Sequence, residues 1–232
     1  MHRVRDMIPI WRLERTLHDR KVAREQRVDS LFIERLILKT DDFATLTWLG
    51  RPIGQSILDL WTIQETIAAL SPALLIETGT NRGGSAYFYA SLFDLMHRGE
   101  VLTIDIRKAH NLVHPRIEFL IGSSVSEDVA AKARERASDA AGPVMVILDS
   151  DHSENHVFRE LELYAPLVTP GSFILVQDGI IDTLHLFRRS RPGPLPAIKR
   201  FLEEHPEFEM DTERCERFLV THHPLGWLRR KP

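Results

Sequence analysis

From residue 73 onward, short apolar runs alternate with stretches of helical period, the pattern of a parallel sheet covered by helices on both faces. The runs predict strands over residues 74–77, 101–106, 117–121, 144–149 and 172–177. Between them, residues 85–96, 127–137 and 155–164 carry apolar positions at helical spacing. A stiff loop over 191–196 precedes a short helix over 197–204, and residues 208–211 and 217–221 predict a closing antiparallel strand pair. Upstream, Ile57, Leu58, Leu60, Trp61, Ile63, Ile67 and Leu70 form a stripe of helical period that ends near Pro72. The charged, intermittently apolar stretch 4–37 predicts amphipathic helices, with Leu31, Phe32, Leu36 and Ile37 close to helical spacing. The expected organisation is a helical extension over 1–40, serving as a lid or an oligomer contact, and one α/β domain over 41–232. The fold class is Rossmann-like: a mostly parallel sheet of seven strands with an antiparallel C-terminal edge.

Composition narrows the function classes. A chain of 232 residues with 43% hydrophobic content can bury a core without disulfides or metals to hold it. A formal net charge of -3 and a pI near 6.4 give no broad footprint for nucleic acid or an anionic membrane, which points to a small-molecule substrate. Cys215 is the single cysteine, so no intrachain disulfide can form and a packed thiol is its expected role. Charges spread through residues 1–27 argue against a signal peptide or a spanning helix, and the expected location is cytoplasmic. A homo-oligomer built through the N-terminal stretch is an open option.

The chemistry begins in Leu74-Leu75-Ile76-Glu77-Thr78-Gly79-Thr80-Asn81-Arg82-Gly83-Gly84-Ser85, an apolar strand that ends in an acid and breaks into a glycine turn. A dinucleotide fingerprint would need glycine where Asn81 stands, which makes an NAD enzyme a poor reading. An acid followed by G-x-x-x-G suits S-adenosylmethionine better. Glu77 would complement its positive charge, Gly79 would allow close backbone approach, and amides near Gly83 to Ser85 would receive its carboxylate. Asp105 closes the second strand, where it can accept both hydrogen bonds of a ribose diol, and Ser124 can meet the adenine edge or cap a helix.

The later strand ends are also acidic. Asp149 and Asp178 are candidate Mg²⁺ ligands, and Gln177 can add a neutral carbonyl oxygen. Asp149 also belongs to the expected cofactor-binding wall, with Asn81. His152, three positions after Asp149, is the candidate general base, with an inert surface role as the alternative. Asp151 is read as an outer partner or a helix cap, His156 as a weak zinc candidate, and His222 and His223 as a polar strand exit. Gln55 and Gln64 are expected in solvent.

Taken together, the Leu74 to Ser85 motif, Leu148-Asp149-Ser150-Asp151-His152-Ser153 and Val176-Gln177-Asp178-Gly179 resemble the cephalosporin hydroxylase and rhamnosyl O-methyltransferase family. Thr47-Trp48-Leu49-Gly50 and residues 59–65 extend the resemblance over roughly residues 40–225. It implies a class I methyltransferase core, S-adenosylmethionine, and Mg²⁺ in place of an oxygen-activating iron. The site is similar to that of catechol and caffeoyl-CoA O-methyltransferases, which implies that Asp149 and Asp178 are metal ligands and that His152 replaces a basic lysine. Gln177-Asp178-Gly179 departs from the Asp-Asn or Glu-Asp pairs of those relatives, leaving fewer anionic ligands. The expected activity is Mg²⁺-assisted methyl transfer to a hydroxyl of a small natural product or sugar. The alternative is a non-catalytic cofactor-binding protein that supports a partner oxygenase.

Overall fold

The computed structural model describes residues 10–232, with side chains from residue 21 onward. Seven strands form the main sheet: β3 (Leu74–Thr78), β4 (Glu100–Asp105), β5 (Ile117–Ile121), β6 (Val144–Leu148), β7 (Phe173–Val176), β8 (Phe208–Met210) and β9 (Trp227–Arg230). Their order is β5-β4-β3-β6-β7-β9-β8. The first five run parallel, and β9 lies antiparallel between β7 and β8. The order reverses between β3 and β6, and at such a switch point the carboxyl ends of neighbouring strands leave a crevice.

Every residue of β3, β6 and β7 is buried, which explains why these strands read as unbroken apolar runs. One core layer joins Ile76, Val146 and Val176 to Val157, Leu161 and Phe201 of the helices α5 (Glu154–Tyr164) and α6 (Pro194–Glu204). The opposite layer joins Leu75, Ile147 and Leu175 to Ile63 and Ile67 of α2 (Ile57–Leu70) and to Phe88, Tyr89 and Phe93 of α3 (Gly84–Met96). Alternate residues of one strand feed opposite layers, as the two-residue period requires. The remaining helices are α1 (Ile10–Lys39), α4 (Glu127–Ser138) and the short α7 (Thr212–Cys215), and a small hairpin pairs β1 (Thr47–Trp48) with β2 (Arg51–Pro52).

Three local expectations need correction. Residues 217–221 are not a strand: Leu219 is 88% exposed while Val220 packs beside Ile33, Ile37 and Phe43, so the apolar run serves a loop. The antiparallel partner of β8 is instead β9, which joins it to β7; there Trp227 and Leu228 enter the core and Arg229 and Arg230 end the segment. The proline loop is shorter than expected because Pro194 to Pro196 form the first turn of α6, where a missing N–H costs nothing. In the N-terminal stretch a single helix, α1, runs through Lys39; residues 4–9 lie outside the described residues. Its inward face is Ile33 and Ile37, and Leu31 and Phe32 face outward. No described helix is long and apolar enough to cross a membrane.

Candidate functional site

A cleft of about 540 Å³ opens at the carboxyl ends of β3, β4 and β6. Gly79, Asn81, Asp105, Ser124, Asp149, His152 and Asp178 all contribute to its wall. A smaller cavity of about 270 Å³ shares Gly79, Asn81 and Asp149 with it and adds Asp42, Gln55 and Ser85. The sheet therefore brings most of the sequence-predicted positions to one place.

The glycine turn is shaped by close contact. Gly79 has φ +94°, and a Cβ there would overlap the Asp149 carbonyl oxygen, so this position accepts only glycine. Gly83 caps α3 in the left-handed region and is buried outside the two cavity walls; Gly84 instead lines the smaller cavity beside Ser85. Asn81 is also left-handed, at φ +45°, and its N–H donates to Asp105 Oδ2 at 2.8 Å. Asp105 Oδ1 accepts from the Arg107 N–H at 3.2 Å, which aims the carboxylate into the cleft with lone pairs to spare.

Glu77 does not reach the cleft. It is 0% exposed, and its Oε2 accepts from Thr103 Oγ1 at 2.5 Å, which in turn meets Thr80 Oγ1 at 2.6 Å. Burial pushes its carboxyl up to about 7, against the opposing pull of hydrogen bonds from Ser85 and Thr103. Glu77 is a post beneath the turn, and the expected direct contact with a cationic ligand is corrected on that ground.

At the opposite side, Ser124 Oγ and Ser150 Oγ each lie 3.1 Å from His156 Nε2, and Ser150 donates to buried Glu160 at 2.7 Å. The hydrogen bond to Glu160 raises the His156 imidazole above its ordinary range, despite partial burial. His156 thus belongs to a polar wall of the cleft, and Ser126, not Ser124, stands at the N-cap position of α4, so Ser124 faces the cleft beside His156.

The reactive end is built from β6 and β7. Asp149 follows β6, Asp178 follows β7 in the left-handed region at φ +59°, and His152 lies between them. His152 Nε2 is 3.1 Å from Asp178 Oδ2 and 4.0 Å from Asp149 Oδ1. One ligand atom from each of the three lies within 4.8 Å of the others. Burial raises the Asp149 carboxyl well above its usual range, and Asp178, Glu77 and Glu160 raise it further. Asp178 moves the other way: burial opposes its ionisation, but His152, His222 and His223 outweigh that and hold it low. Two carboxylates and an imidazole whose ligand atoms converge, one carboxyl disfavoured as an anion by burial and its acidic neighbours, fit a divalent cation.

A family model described as Rhamnosyl O-methyltransferase/CmcI matches residues 42–231. The chain belongs to that family. It is 34% identical over 190 residues to a rhamnosyl O-methyltransferase of Mycobacterium tuberculosis, covering 78% of this chain and 77% of the relative. The Mycobacterium leprae protein of the same name is 35% identical over 196 residues, covering 81% and 84%. A solved structure of CmcI with Mg and SAM aligns at TM-score 0.66 and 18% identity, covering 82% of this chain and 78% of that one. The family membership makes the chain an O-methyltransferase by class, on the class I methyltransferase fold.

In this rhamnosyl O-methyltransferase/CmcI family member, several residues do more than their sequence context suggested. His222 and His223 converge on Asp178: His222 Nδ1 is 3.5 Å from its Oδ1, and the Asp178 N–H donates to His223 Nδ1 at 3.0 Å. Asp59, at the start of α2, holds their loop by accepting from Thr221 Oγ1 at 2.5 Å and from the His222 N–H at 2.9 Å. Gln55 is buried, and its Nε2 donates to Asp149 Oδ2 and to Gln177 Oε1, each at 2.8 Å. The Gln177 oxygen expected on the metal is thereby engaged elsewhere, because the close-packed β7 end turns it toward Gln55. Asp151 Oδ1 accepts from Ser153 N and Oγ, so it braces the loop that leads into α5, with Ser153 at the N-cap position. Trp48 packs edge-on against Phe88 and donates to Ser91, away from the cleft wall. Cys215 is buried and its thiol is pushed up to about 11 by burial, in keeping with a packing role.

Proposed function

We propose that this chain transfers the methyl group of S-adenosylmethionine to a hydroxyl of a sugar-bearing small molecule, with Mg²⁺ assistance. The observation that carries the reading is the single cleft in which Asp105 and Ser124 stand at one end and Asp149, His152 and Asp178 at the other. A nucleoside fits the first end, where a carboxylate can take a ribose diol. The turn at Gly79 and the α3 N-terminus suit the donor's amino-acid end, whose carboxylate is attracted to free N–H groups and the positive end of the helix. The rhamnosyl relatives favour a deoxyhexose hydroxyl as the acceptor.

Asp149 and Asp178 would hold the cation. When bound, it supplies Lewis-acid stabilisation for charge developing on the acceptor. The residues of the chain supply position and a proton sink. His152 faces the same space, held by Asp178 through Nε2, and is the imidazole placed to take the proton lost by the acceptor hydroxyl. The acceptor oxygen forms a bond to the methyl carbon as the carbon–sulfur bond breaks, and the electron pair leaves with neutral S-adenosylhomocysteine. Holding the two reactants in line is the largest contribution expected of the protein.

The test is transfer of radiolabelled methyl from S-adenosylmethionine to a panel of rhamnosides, with and without Mg²⁺. Transfer that depends on Mg²⁺ and disappears in Asp149→Ala, with S-adenosylhomocysteine still bound, supports the reading. Undiminished transfer in metal-stripped protein defeats the Mg²⁺ role, and failure to bind S-adenosylhomocysteine defeats the reading as a whole.

A further inference from the structure

Behind the carboxylates of the cleft lies an uncharged brace. The Asp149 carboxylate is divided between two surroundings: Oδ1 is the oxygen 4.0 Å from His152 Nε2, and Oδ2 accepts from Gln55 Nε2 at 2.8 Å. The same Gln55 nitrogen donates its second hydrogen to Gln177 Oε1 at 2.8 Å. Both glutamines are at least nine-tenths buried, at 5% and 1% exposure, and the Gln177 side chain continues to the neighbourhood of the buried Tyr89 hydroxyl.

The direction of this chain is dictated by charge. A carboxylate only accepts, so Gln55 must present its N–H₂ to Asp149. Gln177 must then present its oxygen to Gln55, which turns its own amide nitrogen away toward Tyr89. Reversing either amide would set two acceptors or two donors against each other in a dry interior, a costly arrangement. Glutamine at both positions thus makes one polarised line that ends on a single oxygen of Asp149.

Building on the donor-and-Mg²⁺ reading above, we propose that Gln55 is a positioning residue that fixes Asp149 through Oδ2 and leaves Oδ1 for the cation, with Gln177 as the strut that holds Gln55. Gln177 therefore acts from behind the site and does not touch the metal. The uncharged side chain at position 177 serves the hydrogen-bond line.

The experiment is calorimetric titration of Mn²⁺ into the full chain in the presence of S-adenosylhomocysteine, for Gln55→Met, Gln177→Met and the double variant. Gln55→Met is expected to weaken Mn²⁺ binding about 10- to 100-fold, the usual effect of removing an outer partner of a ligand. Gln177→Met is expected to weaken it less, and the double variant to match Gln55→Met, because the two residues act in series. S-adenosylhomocysteine affinity without metal and the unfolding midpoint serve as controls. Should Gln55→Met fail to fold, Gln55→Asn keeps the donor, shortens its reach by one methylene and carries the same expectation. Mn²⁺ affinity within about twofold of the parent in folded Gln55 variants overturns the proposal, as do losses in the two single variants that simply multiply. A parent protein that binds neither S-adenosylhomocysteine nor Mn²⁺ fails at the earlier step and is told apart by that result.

Discussion

His152 Nε2 lies 3.1 Å from Asp178 Oδ2, a contact between the ends of two different strand loops that share no local sequence. The imidazole is thereby aimed at the space between the carboxylates, where an acceptor hydroxyl would lose its proton. His152→Asn should lower kcat by roughly 10²- to 10⁴-fold, the range of a lost general base. S-adenosylhomocysteine affinity should stay within about threefold of the parent by calorimetry. An equal loss of cofactor affinity and rate would assign His152 to binding.

Asp59 secures the loop that carries His222 and His223 to Asp178, through Thr221 Oγ1 and the His222 N–H. Asp59→Ala leaves the buried His222 N–H without its partner and frees the part-buried Thr221 hydroxyl, and should cost about 1–3 kcal/mol, read as a lower denaturant midpoint at unchanged slope. Activity should fall further than the folded fraction accounts for, because Asp178 loses two of its neighbours.

Glu77 gives the fold a pH signature. Its carboxyl is held up at about 7 by burial, against 4.5 for the free group, so the folded state holds a proton that the unfolded chain releases between those values. Stability is therefore highest below pH 4.5 for this group and falls as pH rises to about 7, by about 3 kcal/mol in all. Glu77→Gln, which cannot ionise, should flatten that part of the curve in denaturant titrations run from pH 5 to 8.

Gly79 and the Asp149 backbone are in contact across the turn, and Gly79 is left-handed. Gly79→Ala adds a methyl where a carbonyl oxygen already stands and strains φ as well. A loss on the order of 3 kcal/mol is expected, together with loss of S-adenosylhomocysteine binding, because both the turn and the position of Asp149 must shift.

The central strands could be read from the sequence because they are buried on both faces and appear as unbroken apolar runs. The residues just after them, Asp105, Asp149 and Asp178, follow from chain topology alone, since parallel strands deliver their carboxyl ends to one edge. The run Phe218-Leu219-Val220 imitated a strand because apolar content does not distinguish a strand from a loop pinned through Asp59. Trp227 to Arg230 hid the strand that joins β8 to the parallel sheet, since its pairing partners Phe173 and Phe208 lie in other segments. Gln55 carried no signal at all: a lone glutamine in a Gly-Gln-Ser turn is ordinary, and only folding brings it against Asp149 and Gln177. Glu77 shows the reverse limit, because an acid at a strand end can point into the cleft or beneath it, and the Thr103 and Thr80 hydroxyls that hold it beneath come from other segments.

The account turns on one cleft holding both a nucleoside and a cation. Diffraction from crystals soaked with S-adenosylhomocysteine and Mn²⁺, recorded for anomalous signal, tests it most directly. The account predicts the ribose on Asp105, the adenine beside Ser124, and one Mn²⁺ peak between Asp149 and Asp178 with His152 facing the open side. A nucleoside bound elsewhere, or a Mn²⁺ peak remote from Asp149 and Asp178, would contradict it.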